Sequence, residues 1–235
     1  MKARFLWRAW KARYRDQRVE LAAIRSHVTT DDLVCDIGAN KGSYLYWMAK
    51  WAGRVVAFEP QPGLASYLKE ACAELRLDNA IIEAAGVAAT SGTFDLYVPA
   101  PNSPGASLVP THGAQKIPVR VVTLDEYFAP AEKVSLLKID VEGAEFDVFR
   151  GAERILCECK PVLIFEYEQR HLREGAMTDC FAWLEDRGYR GEFVMRGRAY
   201  PMSQFDPARH QAADRPEFWN APDYCNNFIF RPTKA

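Results

Sequence analysis

The sequence predicts an α/β protein whose core is a mostly parallel sheet with helices on both faces. Three observations carry that expectation. Runs 33–37, 54–58 and 134–139 are almost wholly apolar, as strands buried on both sides are. The stretches between such runs bear apolar residues at helical spacing. The first run is followed by Gly38-Ala39-Asn40-Lys41-Gly42, a tight turn of small residues that opens a helix. Strand, glycine turn and helix form the entrance to a nucleotide-binding unit, where a missing Cβ lets backbone approach a ligand.

The elements follow in order. Strand 33–37, helix 43–51, strand 54–58 and helix 62–76 make two successive βα units, and 79–83 is a third strand ended by Ala84-Ala85-Gly86. Right-handed crossovers then place all the strand ends at one ligand-binding edge. The alternation breaks over 91–122, which reads as a β insertion: strand 94–98, a proline-rich loop over 99–107, and strand 117–122. Thr123 and Glu126 form a capping box for a short helix. After strand 134–139 come helix 151–157, strand 161–165, helix 178–187 stopped by Gly188, strand 189–195, an irregular segment 201–222 and a last strand 224–230.

Residues 1–30 read as a basic, aromatic helical extension to the domain 31–235. Residues 1–18 hold seven cations (Lys2, Arg4, Arg8, Lys11, Arg13, Arg15, Arg18) against one acid, Asp16. Leu6, Trp7, Trp10 and Tyr14 share one helical face. The expected arrangement packs that stripe on its own domain or on a second subunit, because so short a stripe binds a bilayer weakly by itself. A peripheral membrane contact through residues 1–20 and a homodimer are the other arrangements consistent with it.

Two sets of acids point to chemistry. Asp36 ends the first strand, and Glu59-Pro60 follow the second at close to the ~20-residue offset at which a carboxylate meets the ribose hydroxyls of an adenosine ligand. The turn lacks the G-x-G-x-x-G spacing that seats a pyrophosphate. S-adenosylmethionine (SAM) has no pyrophosphate, and its charged methionine end suits a carboxylate such as Asp36, so SAM is favoured over a nicotinamide dinucleotide. Asp140, Glu142 and Glu145 follow the strand 134–139. Asp140 and Glu142, two apart, are expected to project the same way from extended backbone, whereas Glu145 reads as a solvated helix start favoured by the dipole. Glu166 is a further acid at the same edge, and Lys138, inside a buried strand, is expected to pair with an acid. His112 on the insertion reads as solvated or substrate-facing, and Asn226-Asn227 as a ligand contact or a bulge.

Val34-Cys-Asp-Ile-Gly-Ala-Asn-Lys-Gly42, Val56-Ala-Phe-Glu-Pro60, Val122-Thr-Leu-Asp-Glu126 and Leu137-Lys-Ile-Asp-Val-Glu-Gly-Ala-Glu145 together resemble the FkbM family of SAM-dependent methyltransferases. The resemblance spans about 31–168, with 226–230 similar to the family's closing strand. It implies a class I methyltransferase (Rossmann-like) fold of seven strands with the last antiparallel, and O-methylation of a sugar, glycan or natural-product hydroxyl that leaves S-adenosylhomocysteine (SAH). It further implies a cofactor site of Asp36, Gly38, Ala39, Asn40 and Gly42 at the methionine end, Glu59 and Pro60 at the ribose, and Ala85 and Gly86 at the adenine, with Asp140 beside them. Asp140, Glu142 and Glu166 would line the mouth where the acceptor arrives, one of them as the base. Ser107 matches a serine that follows the family's variable loop.

Composition narrows the rest. With 30 cations against 31 acids, the whole chain lacks the basic excess of a nucleic-acid partner. Six cysteines without metal-type spacing suit reduced thiols and a cytoplasmic protein, peripheral to a membrane at most. No metal is predicted, although the same acids are oxygen ligands of the kind a hard divalent ion takes. The rival functions are a non-catalytic SAM-binding scaffold recruiting a partner through the N-terminal helix, and a nicotinamide-dependent oxidoreductase.

Overall fold

In a computed structural model, which describes residues 2–100, 105–110, 112–172, 175–214 and 216–233, the apolar runs become the middle of an eight-stranded sheet. The strands are β1 (Leu33–Ile37), β2 (Arg54–Phe58), β3 (Ala80–Glu83), β4 (Gly86–Val87), β5 (Gly92–Val98), β6 (Gln115–Val122), β7 (Val134–Ile139), β8 (Val162–Glu166), β9 (Tyr189–Met195), β10 (Arg198–Pro201) and β11 (Asn227–Pro232). The main sheet runs β10-β9-β11-β8-β7-β1-β2-β3, and β4-β6-β5 form a second, three-stranded sheet. Strands β3, β2, β1, β7 and β8 are parallel, and β11 is antiparallel to both β8 and β9, as the sequence predicts.

The eighth strand is the departure from seven. Arg196 (φ 51°) and Gly197 (φ 69°) are both left-handed, so a two-residue turn of the hairpin type folds β10 back onto β9. An Arg-Gly pair is a weak hairpin signal, which is why 198–201 did not read as a strand.

Period-two alternation sorts the central side chains onto two faces. Cys35, Ile37, Val56, Phe58, Leu137, Ile139 and Phe165 face a core shared with α6 (Glu145–Arg150), α7 (Glu153–Glu158) and α8 (Met177–Asp186), on the same side as the short α5 (Leu124–Tyr127). Val34, Val55, Ala57, Leu136, Val162 and Ile164 face the other core, covered by α1 (Lys2–Lys11), α2 (Arg18–His27), α3 (Leu45–Trp51) and α4 (Pro62–Leu75). Both faces are buried, which is the condition for strands that are nearly all apolar. The second sheet has its own small core of Leu96, Val98, Val119 and Val121. The loop joining β5 to β6 lies outside the described residues at 101–104, but Ser107 is fixed by two backbone bonds with Tyr97 (2.8 and 3.0 Å).

The amino-terminal extension docks by the face opposite its aromatic stripe. Phe5, Ala9 and Ala12 are buried, while Trp7, Trp10 and Tyr14 are 64%, 49% and 62% exposed. Phe5 lies so close to Gly42 that a Cβ there would meet its ring at 2.4 Å. Trp47 Nε1 donates to Ala9 O (2.7 Å), and the rings of Trp10 and Tyr14 rest edge-on against Trp47. Between α1 and α2 the chain makes a π-turn over Ala12–Asp16, closed by Gln17 N donating to Ala12 O (2.8 Å). This wider turn re-aims the chain and carries Gln17 toward the ends of β7 and β8.

Candidate active site

The glycine turn is folded onto the end of β2 by its own backbone. Gly38 and Ala39 N–H both donate to Phe58 O, at 2.9 and 3.0 Å, and Asp140 N–H donates to Ile37 O at 3.0 Å. Gly38 (φ 77°) lies where a Cβ would stand 1.8 Å from Asp140 O, so no other residue fits. Asn40 N–H donates to Glu59 Oε2 (2.8 Å) and Gln61 N–H to Oε1 (2.9 Å). Glu59 thus clasps the turn from beneath. Burial nevertheless pushes its carboxyl up to about 7, outweighing those two bonds.

A cavity of about 250 Å³ opens above this clasp. Gly38, Asn40, Glu59, Pro60, Ala85, Gly86 and Asp140 line it, together with Glu142, Glu166 and Ser107. Most of the expected cofactor residues and all three expected catalytic acids therefore meet at one place. The other three lie elsewhere. Ala39 opens on a second cavity of about 200 Å³, on the far side of Asp140, with Arg8, Gln17, Lys41, Tyr44 and Lys138. Gly42 packs on Phe5. Asp36 is 1% exposed beneath the turn, with Lys138 Nζ at 3.7 Å.

Lys138 pairs with two acids, as its position in a buried strand predicts. Its Nζ is also 3.4 Å from Asp140 and lies 4.8 Å from the centre of the Tyr44 ring. Burial pulls Lys138 down, but Asp140 and Asp36 outweigh it and keep the ammonium above its ordinary value. Asn40 Oδ1 and Gln17 Oε1, by contrast, have no hydrogen-bond partner among the described residues, and both open on the cavity that Ala39 shares. Buried acceptors left over around a cavity fit a ligand rich in donors, such as ribose hydroxyls or an ammonium. The residues present therefore suit the adenosine and amino-acid ends of SAM.

The acid half is built differently. Glu142 is left-handed (φ 56°) and Gly143 follows at 101°, so the extended backbone expected between Asp140 and Glu142 is absent. Both still reach the cavity, through a strained turn of the sort found at functional sites. Ser107 Oγ donates to Glu142 O (2.6 Å) and clamps that turn. Glu145 is not a solvated helix start but 2% exposed, accepting from Gly143 N (3.0 and 3.1 Å) and Val141 N (3.2 Å). Its reading as solvated fails because a turn this tight has inward-facing N–H groups to satisfy.

Charge crowds here. Burial, then the neighbouring Asp140 and Glu145, push Glu142 up to about 8. His171 Nδ1 stands 3.4 Å from Glu142, and burial with the nearby Arg170 holds that imidazole below its ordinary value. Glu166 is raised well above the usual range by burial, Asp140 and Glu142, and Asn226 Nδ2 donates to its Oε1 (2.5 Å). Burial acts to raise Glu168 too, but the paired Arg170 N–H groups (2.7 and 2.8 Å) and the Tyr224 hydroxyl hold it below the usual range. Among the described residues, no group of three or more His, Cys, Asp or Glu is disposed to hold a metal ion. His112 is exposed and outside the cavity.

Tyr44, His171 and Glu168 carry no sequence signal for their place here. Asn226 did, as a polar pair interrupting an apolar strand.

A family model described as the methyltransferase FkbM domain matches residues 36–190. The methyltransferase sdnD of Sordaria araneosa is 28% identical over 70% of this chain and 76% of its own length. The hexuronic acid methyltransferase AglP of Haloferax volcanii is 30% identical over 65% of this chain, and the match spans 64% of AglP. Among solved structures, an FkbM methyltransferase of Methylobacillus flagellatus shares the fold at a TM-score of 0.56 and 15% identity, over 96% of this chain and 57% of that one. A Streptococcus mutans protein in complex with SAH does so at 0.54 and 10%, over 92% and 97%. The glycine turn, the clasping Glu59 and the acid-lined cavity all fall on the span that the family model covers, and the chain belongs to the FkbM methyltransferase family.

Proposed function

We propose that this protein is a SAM-dependent O-methyltransferase acting on an uncharged hydroxyl of a sugar, glycan or natural product, with Glu142 as general base. The observation that carries the reading is Glu142 itself: a carboxyl raised to about 8 that opens on the same cavity as the glycine turn and Glu59. A base works best with its pKa near the working pH. When bound, SAM supplies a methyl carbon on a sulfonium that is already a good leaving group. The chain's task is then to hold, align and deprotonate.

Each Glu59 oxygen accepts one backbone N–H and keeps a lone pair for a ribose hydroxyl. Ala85 and Gly86 offer the adenine an apolar, uncrowded floor. Gly38, Asn40 and the buried Asp36 attend the methionine end. At the acceptor, Glu142 would take the hydroxyl proton as the oxygen receives the methyl group, with the neutral thioether of SAH as the leaving group that SAM would supply. Asp140 and Glu166 shape the mouth, the latter oriented by Asn226. Two cations close to the mouth, Lys138 and Arg170, are committed to Asp36, Asp140 and Glu168. A second negative charge on the reacting group would be repelled there. AglP's name links a relative to a uronic acid, and the hydroxyls of such a sugar, not its carboxylate, are the acceptors this reading favours.

Methyl-labelled SAM with a panel of glycosides, uronates and polyols tests this. Label retained through mild alkali, as an ether is, supports the reading. Label released by alkali, as from an ester, counts against it.

A further inference from the structure

We infer that the amino-terminal helix and its surroundings form a docking face for an anionic lipid bilayer. Large side chains that are apolar or aromatic are 39% or more exposed at six described positions, and three of these, Trp7, Trp10 and Tyr14, sit on consecutive turns of one segment. A fourth, Trp219, lines a cleft with Arg15, Arg18 and Arg196. The docked face of α1 and the turn after it is already filled by Phe5, Ala9 and Ala12, so the aromatic face is not a core face left open by chance.

The cations are placed with these rings. Lys11 Nζ lies 5.7 Å from the Trp7 ring, and Arg13 lies 6.0 Å from Tyr14 and 5.0 Å from Trp51. Arg4 is exposed one turn before Trp7. Asp16, the acid of this stretch, is neutralised by Lys11 (2.8 Å) and Arg15 (3.5 Å). Residues 1–18 hold seven cations against one acid, leaving the remainder of the chain with 23 cations against 30 acids. A protein of nearly balanced charge is therefore strongly polarised, its positive end being the one that bears the exposed rings.

Charge complementarity selects an anionic partner, and ring chemistry selects a bilayer. Tryptophan and tyrosine settle at the headgroup level, with the ring in the apolar boundary and the N–H or O–H toward water. Lysine and arginine stems lie along apolar surface while their heads reach lipid phosphates. An interfacial helix needs only this one-sided pattern, and anionic lipid strengthens it by about 1 kcal/mol per cation. The cleft with Trp219 also reaches Asn226, which holds Glu166, so the lipid-facing surface adjoins the acid side of the active site.

The test is flotation of the full-length protein with vesicles of phosphatidylcholine alone and with about 30% phosphatidylserine. Binding is expected only to the anionic vesicles, and release by about 0.5 M salt is expected because screening removes the electrostatic share. Trp7→Ser/Trp10→Ser/Tyr14→Ser and, separately, Arg4→Ala/Lys11→Ala should each lower partitioning by about tenfold or more. Circular dichroism of both variants establishes that they are folded. Absence of binding by the folded wild-type protein overturns the inference, as does binding that survives loss of the three rings. A concentration-dependent dimer in ultracentrifugation that the ring substitutions abolish also overturns it, because the face would then belong to a second copy.

Discussion

The two halves of the cavity are made of similar residues by opposite means. In the glycine-turn half, Glu59 spends its oxygens on the N–H groups of Asn40 and Gln61, and a backbone that only glycine at 38 permits does the shaping. In the acid half, Asp140, Glu142 and Glu166 face one another with few donors between them. Burial first, and then the neighbouring acids, hold the Glu142 and Glu166 carboxyls above their usual range. The difference teaches a division of labour. A backbone-built half recognises a ligand that is always the same, whereas a half built from crowded carboxyls is ready to take a proton and is cheap to vary.

The sharpest way to break that division is to remove one carboxylate charge from each half. Glu142→Gln should lower kcat by about 10²–10⁴-fold, the usual contribution of a positioned base, while SAH binding stays at the wild-type level. Gly38→Ala should do the reverse kind of damage. The left-handed φ and the clash with Asp140 O cost about 2–4 kcal/mol of stability, read by urea denaturation, with cofactor binding lost in parallel. Glu59→Ala should weaken SAH about 10–100-fold, by removing charge-assisted bonds and loosening the turn, with little effect on kcat at saturating SAM.

Titration separates the halves again. Glu142 must be deprotonated to act, so kcat should fall about tenfold per unit as pH drops below about 8, and Glu142→Gln should abolish that slope. The stability sign is the opposite. A carboxyl whose folded pKa is raised from 4.5 to about 8 contributes stability below 4.5 that is lost as pH rises through about 8. Glu142 is partly solvated, so above pH 8 Glu142→Gln should be more stable than wild type by only about 1–2 kcal/mol, measured by thermal or urea melts. The smallest expected effect is Asn226→Ala, which should cost kcat a few fold by freeing Glu166 while leaving SAH affinity unchanged.

The same division governs how much of the molecule could be read in advance. Backbone requirements leave local marks: the small-residue turn at 38–42, the acid that follows β2, the apolar runs of β1, β2 and β7. All of these fall where the sequence places them, and the closing strand is antiparallel as expected, although it runs over Asn227–Pro232 and not 224–230. The acid half depends on meetings between residues far apart in the chain, such as Ser107 with Glu142, His171 with Glu142, and Tyr224 with Glu168, and no local pattern encodes them. Glu145 misled for the same reason, because its burial follows from the turn it caps and not from its helix. In the extension, the stripe meets its own domain at the Trp47 ring and stays largely exposed. An aromatic stripe resembles a core face, yet the smaller Phe5, Ala9 and Ala12 give α1 the closer approach to α3 and α4.

The measurement that tests the separation most directly is calorimetric titration of SAH into wild type, Glu59→Ala and Glu142→Gln side by side. The predicted result is saturable binding to wild type, equal binding to Glu142→Gln, and binding weakened about 10–100-fold in Glu59→Ala. Loss of SAH binding in a folded Glu142→Gln protein, or none in folded wild type, would contradict it.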